Sequence, residues 1–316
     1  MLAQQQISPN QEKTNTVSGL KIVPFDAALG AEIRGLDFSL PIPDAVKEAL
    51  RSAWAKHLVL LIRGQQLSEE QFISAAGVLG TLKEAGSRKF LLQGGKKSAH
   101  MLSKHPVLTI LSNLDENGNP VKENAMLGSL EVEWHSDNSY VDVPPAGSVL
   151  CSIEIPNNET GNTSFNNQYL AYDELPMDLK KAIEGKKQVH DSSRDSSGTL
   201  RPGAKLPKTP EEVEGPAHPL VRVHPVSGKK ALYLGRRRTW PSNYIVGIPD
   251  EDSEALLEKL WAHATQPKYA WTHVWKVGDV LVWDNRCTLH RREEVDATQR
   301  RYMLRTVIEG EKVIPA

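Results

Sequence analysis

The feature that most constrains the fold is a series of short, mostly apolar segments of strand length that do not alternate regularly with helices. Turn-forming pairs such as Ser227-Gly228 separate several of them. The clearest segments read SVLCSIEI, HPLVRVHP, KALYLG, YAWTHVWK, DVLVWDN and YMLRTVIEG. This pattern lacks the strand–helix rhythm of a doubly wound sheet. It predicts a mainly β fold with flanking helices, built as a β-sandwich or jelly roll.

Helical patterns are few and well marked. One helix is expected to begin with Asp44 as its N-cap. Its apolar positions fall on one face and are Val46, Leu50, Ala53 and Trp54. Ser68, followed three residues later by Gln71, predicts a capping box at the start of a second helix. Between them, the apolar run LVLLIRG predicts a strand that is buried on both faces. A long helix is expected later, over DEDSEALLEKLWAHAT.

The length of the chain fits one domain. A chain of 316 residues buries about 75% of its unfolded surface, so a large core is available. We expect residues 1–18 to form a flexible polar tail and residues 19–316 to form a single domain. Two stretches look like insertions, one near residues 86–104 that is basic and one near residues 185–216 that is rich in Ser, Gly and Pro. Such long loops are usually lids, binding loops or disordered segments.

Charge and cysteine content exclude several classes of partner. The 38 Lys and Arg residues nearly balance the 39 Asp and Glu residues, so a generally basic nucleic-acid binder is excluded. No apolar run approaches the roughly 20 residues of a membrane span. The N-terminal residues lack the layout of a secretory signal, and the two cysteines, Cys151 and Cys287, cannot form a disulfide framework. A cytoplasmic protein is expected, and a homo-oligomer stays open.

Two sequence elements indicate a metal centre, namely EVEWHSDNSY and, far downstream, WDNRCTLHRR. If the segment from Trp134 to Tyr140 is extended, His135 and Asp137 point to the same face. His290 is a candidate third ligand from a neighbouring strand. Two imidazoles and one carboxylate on one side of an ion leave positions open, which suits non-heme Fe(II) oxygen chemistry. A His-x-Asp pattern alone is weak evidence, because a lone strand histidine is more often structural.

The sequence around these two elements is more specific evidence than the His-x-Asp pattern. The runs WHSDNSYVDVPPAGSVLCSIEIP, GNTSF and WDNRCTLHRR…QRRYMLR resemble the taurine dioxygenase (TauD/TfdA) family of Fe(II)- and 2-oxoglutarate-dependent dioxygenases. The resemblance extends from about Val23 to Glu309 and implies a double-stranded β-helix core, a cupin-like jelly roll.

The resemblance also implies roles for six residues. His135, Asp137 and His290 match the metal ligands of the family. Thr163 and Arg301 match the residues that bind 2-oxoglutarate, and Arg305 matches the position that binds the anionic head of the substrate.

The spacing of the two arginines agrees with separate roles. On an extended segment Arg301 and Arg305 share a face and lie roughly 13 Å apart. They therefore favour two separate anionic groups in one pocket. A planar guanidinium holds a carboxylate or sulfonate at two points, which suits both positions.

Weaker candidates complete the predicted site. Glu131 is equally well interpreted as a partner for a substrate amine or as an ordinary acid at a strand edge. Tyr140 and Phe165 are expected to line the pocket or to belong to the core. The basic run Arg236 to Arg238 is typical of a solvated face, with a second anion contact as the alternative.

Three functions are compatible with these residues. The leading hypothesis is hydroxylation of a small organic anion, such as a sulfonate, a sulfate ester or an aryloxyalkanoate. Fe(II), 2-oxoglutarate and O2 would be required, and succinate and CO2 released. The second keeps these cofactors but takes an amino-acid-like metabolite of a biosynthetic pathway, gripped by Glu131 and Arg305. The third is a non-catalytic metal-binding jelly roll, against which Thr163 and Arg301 argue, because a metal binder needs no cosubstrate clamp.

Overall fold

The computed structural model describes residues 15–84, 86, 88, 92, 100–124, 128–195, 198–201 and 203–316. Most of the predicted tail and most of the first predicted insertion therefore lie outside the described residues. The α-helices in the described part are α1 (Asp44–His57), α2 (Glu69–Gly77), α3 (Gln168–Asp173), α4 (Met177–Ile183) and α5 (Asp250–Ala264).

The strands of the described part are short and account for more residues than the helices. They are β1 (Lys21–Pro24), β2 (Ala31–Arg34), β3 (Val59–Ile62), β4 (Leu82–Lys83), β5 (Thr109–Ser112), β6 (Val132–His135), β7 (Gly147–Glu154), β8 (Thr163–Asn167), β9 (Lys187–His190), β10 (Ala217–Pro219), β11 (Val221–Val223), β12 (Lys230–Leu232), β13 (Asn243–Ile245), β14 (Ala270–His273), β15 (Val280–Asp284), β16 (Thr288–Arg292), β17 (Tyr302–Ile308) and β18 (Ile314–Pro315). Each strand predicted above from its apolar sequence is present.

Two sheets form the sandwich. The larger has the strand order β1-β2-β3-β15-β7-β17-β4, with β5 also pairing with β17. The smaller has the order β14-β8-β16-β6. Strands distant in sequence are neighbours in both sheets, and the strand pairs of the described residues are antiparallel except β2 with β3. This is the sandwich expected from the non-sequential strands.

One apolar core lies between the larger sheet and the first two helices. The predicted face of α1 is buried, as is the whole of β3. The predicted capping box of α2 is confirmed, since Ser68 Oγ accepts from Gln71 N–H while the Gln71 side chain accepts from Ser68 N–H. The predicted N-cap of α1 is wrong: Pro43 holds that position, and the carboxylate of Asp44 accepts instead from Lys47 Nζ at 2.8 Å.

A second core lies between the two sheets and supports the site. Phe165 on β8 is fully buried there, and its ring stacks on Trp271 and packs at a tilt against Trp283. Its ring centroid also lies 6.1 Å from that of His290. The aromatic packing holds β8 and β16 at a fixed height above the larger sheet, so side chains at their ends have defined positions.

The structure describes part of the second predicted insertion, residues 185–216, and the end of the predicted tail, residues 1–18. Strand β9 lies inside the stretch 185–216 and pairs with both β10 and β13. In the predicted tail, Asn15 is buried and its side-chain amide donates to the carbonyl oxygens of Asp37 and Pro41.

Candidate active site

The smaller sheet brings the two candidate histidine ligands together. His135 at the end of β6 and His290 on β16 are direct register partners, and their ring centroids lie 4.1 Å apart. The Nε2 atom of each ring lies 3.7 Å from Asp137 Oδ1. All three side chains are buried. The sheet register therefore assembles the three predicted ligands around one point.

Asp137 reaches this point by a route that the sequence did not predict. Strand β6 ends at His135, and the segment that follows is a turn in which Asn138 has φ +48°. The expectation of an extended segment through Tyr140 is therefore wrong. The physical reason is Asn285, whose side chain accepts from Asp137 N–H at 2.6 Å and donates to its carbonyl oxygen at 2.9 Å. These peptide groups are thus bound by a side chain instead of a strand.

The hydrogen bonds around the three residues leave their ligand atoms bare. His135 Nδ1 lies 2.8 Å from the carbonyl oxygen of Glu133, so Nδ1–H donates and the Nε2 lone pair is available. Asp137 Oδ2 accepts from Ser148 Oγ at 2.9 Å and from Arg305, and Oδ1 stays directed at the two imidazoles. A cation at this point would replace repulsion between three lone pairs with coordination.

The protonation states agree with ligation. Burial, with the Arg236 guanidinium nearby, lowers the pKa of His135 to about 4, and burial beside His135 lowers the pKa of His290 well below its ordinary value. Burial alone raises the pKa of Asp137, but Arg305 and His290 outweigh it and hold that pKa well below its usual range. Near neutral pH the set is two neutral imidazoles and one carboxylate, the state that metal binding needs. The donor set fits a divalent first-row metal.

Arg301 is a buried arginine next to a second buried arginine, Arg292. It directly precedes β17 and is 3% exposed. Its guanidinium has no ion pair with any carboxylate of the described residues, whereas the adjacent, exposed Arg300 pairs with Glu154. Burial and the nearby Arg292 guanidinium lower the pKa of Arg301 well below its ordinary value. Two buried positive charges that form no ion pair with a described carboxylate favour the binding of an anionic ligand.

Thr163 lies next to this pair of arginines. It begins β8 and is the register partner of Arg292 at the end of β16. Its Oγ1 accepts from Trp275 Nε1 at 3.0 Å, so the hydroxyl hydrogen remains available to donate to an anion. The preceding turn contains Gly161 at φ +75°, where a Cβ would lie 2.7 Å from a Val295 methyl carbon. Glycine therefore allows the turn to pack close to Arg301.

The other predicted site residues are not all brought to the centre. Arg305 on β17 donates to Asp137 Oδ2 and to Ser148 Oγ, while its buried Nε has no partner in the described part of the chain. Tyr140 borders the cavity beside His135, and Phe165 belongs to the core between the sheets. Glu131 is exposed, directly before β6, and is not among the residues that line that cavity.

Sequence reasoning missed three residues of this site. Asn285 and Ser148 position Asp137, and Arg292 adds the second charge beside Arg301. Asn285 lies just before His290 in the sequence, but nothing there indicates its contact with Asp137. Ser148 and Arg292 carry no local signal, because their roles depend on which strands become neighbours.

A jelly roll that presents two imidazoles and a carboxylate from one side defines the class of mononuclear non-heme metal enzymes. The family model described as "Taurine catabolism dioxygenase TauD, TfdA family" matches residues 21–307. The chain therefore belongs to the TauD/TfdA dioxygenase family, and the predicted family and enzyme class are confirmed.

Individual relatives agree with this assignment. The chain is 34% identical over 258 residues to the alpha-ketoglutarate-dependent 2,4-dichlorophenoxyacetate dioxygenase of Burkholderia sp. (strain RASC), covering 80% of this chain and 82% of that protein. It is 31% identical over 302 residues to the alpha-ketoglutarate-dependent sulfate ester dioxygenase of Pseudomonas putida, covering 92% and 90%.

A solved structure supports the fold. The crystal structure of AAD-2 in complex with Mn(II) and N-oxalylglycine matches with a TM-score of 0.75 and 28% identity, covering 94% of this chain and 99% of that one. The predicted jelly-roll core is confirmed. Among the described residues, no helix has both the length and the apolar character required to cross a bilayer.

Proposed function

We propose that this protein is an Fe(II)- and 2-oxoglutarate-dependent dioxygenase that hydroxylates a small organic anion. The observation that carries the proposal is the combination of two features: three bare ligand atoms that converge on one point, and the buried guanidinium of Arg301, which has no carboxylate partner among the described residues. A metal-binding protein without a cosubstrate would need only the first. A dioxygenase of this class needs both.

Each residue then has a defined task. His135, Asp137 and His290 would hold iron through Nε2, Oδ1 and Nε2, with Ser148 and Asn285 fixing the orientation of the carboxylate. When bound, iron and 2-oxoglutarate supply the oxygen activation that inserts one oxygen atom into a substrate C–H bond and releases succinate and CO2.

The cosubstrate would be bound at the arginine pair. The Arg301 guanidinium would hold the distal carboxylate of 2-oxoglutarate, and the Thr163 hydroxyl would donate a hydrogen bond to the cosubstrate. Arg292 adds positive charge beside Arg301, so the fully buried site favours a carboxylate over water.

The substrate proposal rests on the second, separate cation. Arg305 has already placed one of its nitrogens on Asp137, and its remaining edge would take the anionic group of the substrate. The two relatives described above are named for a dichlorophenoxyacetate and for sulfate esters, and both names denote organic anions. An amino-acid-like substrate gains no support, because Glu131, its intended partner, is exposed outside the cavity lining.

A cytoplasmic location is part of the proposal. Its support is chemical: both cysteines are buried free thiols, and burial raises the pKa of Cys151 to about 12. Unpaired thiols are typical of proteins in reducing compartments.

The test is anaerobic addition of Fe(II) and 2-oxoglutarate to the purified protein. Chelation of iron by the keto acid is expected to produce a weak visible charge-transfer band. In air, succinate formation is then measured across sulfonates, sulfate esters, aryloxyalkanoates and amino acids. A missing band would overturn the cofactor assignment. Stimulation by amino acids alone would overturn the substrate class.

The same assay tests which ligand Arg301 and Arg305 each bind. Arg305→Gln is expected to raise the substrate KM and to leave the 2-oxoglutarate KM nearly unchanged. If Arg305→Gln instead affects 2-oxoglutarate more strongly than Arg301→Gln does, the two assignments are reversed.

A further inference from the structure

A surface cavity of about 420 Å³ lies beside β13 and the start of α5. This volume is within the range of roughly 300–1,000 Å³ that small-molecule sites occupy. The lining combines two aromatic side chains, Trp240 and Tyr244, with two carboxylates, those of Glu211 and Asp250. We call it the outer cavity. None of these four residues belongs to the metal centre or has a task in the proposed dioxygenase reaction.

The alternation of side chains along β13 separates the outer cavity from the metal centre. Asn243 is the register partner of His190 and lines the small cavity beside His135. Tyr244, the next residue of the strand, points to the opposite face and lines the outer cavity. The two cavities have no lining residue in common. A molecule in the outer cavity therefore does not occupy the metal position.

Hydrogen bonds hold the segments that form the outer cavity together. Residues 209–216 are bound to β9, where Ser192 N–H donates to the carbonyl oxygen of Glu214 at 2.8 Å. Strand β9 in turn pairs with β13. Helix α5 is joined to the same strand, because the Ser253 hydroxyl accepts from Ile245 N–H at 2.8 Å. The aromatic and acidic side chains thus stand on a connected framework.

The lining of the outer cavity is negatively charged. Neither Glu211 nor Asp250 forms an ion pair with a cationic side chain of the described residues, and no such side chain lines the cavity. A hydrogen bond from Thr209 lowers the pKa of Glu211, so its carboxylate is ionised at neutral pH. Burial raises the pKa of Tyr244, and the carboxylates of Glu211 and Asp250 raise it further. Both carboxylates therefore act on the position of the Tyr244 hydroxyl.

The dipole of α5 does not reverse this charge. The N-terminus of a helix contributes about half a positive charge, whereas the first turn of α5 carries the carboxylates of Asp250, Glu251 and Asp252. An anion would meet these carboxylates, so the cavity disfavours anionic ligands. A bare metal ion gains little from aromatic walls, since an indole offers only an N–H donor.

Trp240 is a large aromatic side chain that the fold leaves in contact with water. It is 40% exposed, whereas the other six tryptophans are buried or half-buried. No cationic side chain of the described part of the chain lies over the ring of Trp240 or of Tyr244. Aromatic faces attract cations within about 6 Å of the ring centroid, and the indole ring does so best. Aromatic faces next to unpaired carboxylates are suited to an organic cation.

We propose that the outer cavity binds a small organic ammonium ion whose nitrogen carries alkyl groups. The alkyl groups pack on Trp240 and Tyr244, and the carboxylates of Glu211 and Asp250 balance the charge. A neutral molecule of the same shape leaves these carboxylates without a counter-charge. The inference goes beyond the proposed function and is independent of it, because the two use different residues.

The test compares two ligands of one shape that differ in charge. In 3,3-dimethylbutan-1-ol a carbon atom replaces the quaternary nitrogen of choline. Binding is measured by calorimetry on the full chain at constant ionic strength, with Fe(II) and 2-oxoglutarate under anaerobic conditions and again without them. Choline is expected to bind at least about fivefold more tightly than the neutral alcohol in both states, from one cation–π contact and two exposed charge pairs.

Two substitutions locate the effect. Trp240→Leu removes the ring but keeps an apolar side chain, and Glu211→Gln removes one charge but keeps the shape. Each is expected to lower the choline affinity about threefold or more. Glu212→Gln is the matched control, because Glu212 accepts from Lys208 N–H and does not line the cavity. All three positions are exposed, so each variant is expected to fold, and circular dichroism verifies this.

Several outcomes would overturn the ammonium site. They are equal affinities for choline and the neutral alcohol, no binding of choline, and a choline preference that is unchanged in both Trp240→Leu and Glu211→Gln. Choline binding that disappears when Fe(II) and 2-oxoglutarate are present would place choline in the active site and also overturn it. Tighter binding of the methylamide of acetyl-lysine than of choline would replace the small ligand by a basic peptide.

Discussion

Among the residues that the structure describes, two buried clusters contain the residue types of a metal site, and only one of the two offers free ligand atoms. The first is His135, Asp137 and His290. The second, defined here as the His224 cluster, consists of His224, Asp284 and Cys287. In each, one ligand atom from every residue lies within 4.8 Å of the others, and all six residues are buried. By residue type and distance the two are equivalent.

The two clusters differ in their hydrogen bonds, because those of the His224 cluster occupy its ligand atoms. His224 Nδ1 accepts from the backbone N–H groups of Val226 and Ser227, so its Nε2 carries the proton and donates to Asp284 Oδ2 at 3.0 Å. The Arg286 guanidinium donates to both oxygens of Asp284, at 2.9 and 2.7 Å.

The thiol of the His224 cluster completes this difference. Burial raises the pKa of Cys287 well above its ordinary value, so the thiol keeps its proton, whereas a metal ligand must be a thiolate. The His224 cluster is a satisfied structural network between β15 and the turn after β11. A buried metal site is recognised by lone pairs that the protein leaves unpaired, and composition alone does not reveal it.

Removal of a ligand gives the largest effect that this comparison predicts. Asp137→Ala should lower iron affinity by more than the 10–100-fold that outer hydrogen-bond partners typically contribute, and turnover should be lost with it. Cys287→Ala is the matched substitution in the His224 cluster and should keep the iron content. Iron per chain is measured after anaerobic loading and desalting. Two equivalents in the wild type, or loss of iron in Cys287→Ala, would contradict the distinction.

The His224 cluster should respond in stability instead. Asp284→Asn leaves the buried Arg286 with the more distant Glu311 carboxylate at 3.8 Å as its remaining ion partner. Breaking a buried pair in this way costs about 3–5 kcal/mol. Urea denaturation of the metal-free proteins measures the loss, and iron content serves as the control. A variant with unchanged stability would show that the network contributes little.

The sequence predicted the three ligands because their types and spacing are local features. His135 and Asp137 are two residues apart, and His290 lies in an equally distinctive element. The same holds for strands with continuous apolar runs: β3 is buried as predicted, and β15 forms where a strand was predicted. Local pattern is sufficient where the physical cause is also local.

The rest depended on contacts between distant segments. Asp137 was expected on an extended strand, but the Asn285 side chain binds its peptide groups instead. No sequence pattern near Asp137 indicates this contact. Ser148 reaches Asp137 only because β7 of the larger sheet faces the end of β6. Likewise, the Arg236 to Arg238 run gave no sign that two of its members face a cavity while Arg237 turns away to α5.

The buried arginines Arg286 and Arg301 differ in whether the protein supplies a carboxylate partner. Arg286 has its carboxylate within the protein, whereas Arg301 is as buried and has none in the described residues. Arg301→Gln should therefore raise the 2-oxoglutarate KM by at least about tenfold, the value of one charge-assisted hydrogen bond. Arg300→Gln, which alters an exposed pair with Glu154, is the neighbouring control and should change it little. Equal KM values for both variants would remove Arg301 from the cosubstrate site.

The smallest expected difference between the two clusters is in how the stability of the folded protein depends on pH. The pKa of His135 is about 4 in the folded, metal-free protein and about 6.5 when unfolded. The unfolded chain therefore binds the extra proton first, and stability falls as pH decreases from 6.5 towards 4, by roughly 1.4 kcal/mol per unit for this histidine.

Asp284 loses its contribution at a lower pH than His135 does. Burial alone raises its pKa, but Arg286 and His224 together lower it below its ordinary value, so its contribution is complete above about pH 4 and is lost only under stronger acid. Denaturation of the chelator-treated protein at pH 7.5 and pH 5.5 should show a loss that His135→Gln reduces and Asp284→Asn leaves unchanged. His190, whose pKa burial lowers to about 3, adds a loss of the same sign that both variants retain. A stability that is flat between these two pH values would mean that the buried imidazoles take up protons without opposition, and the neutral ligand set inferred for the metal centre would have to be abandoned.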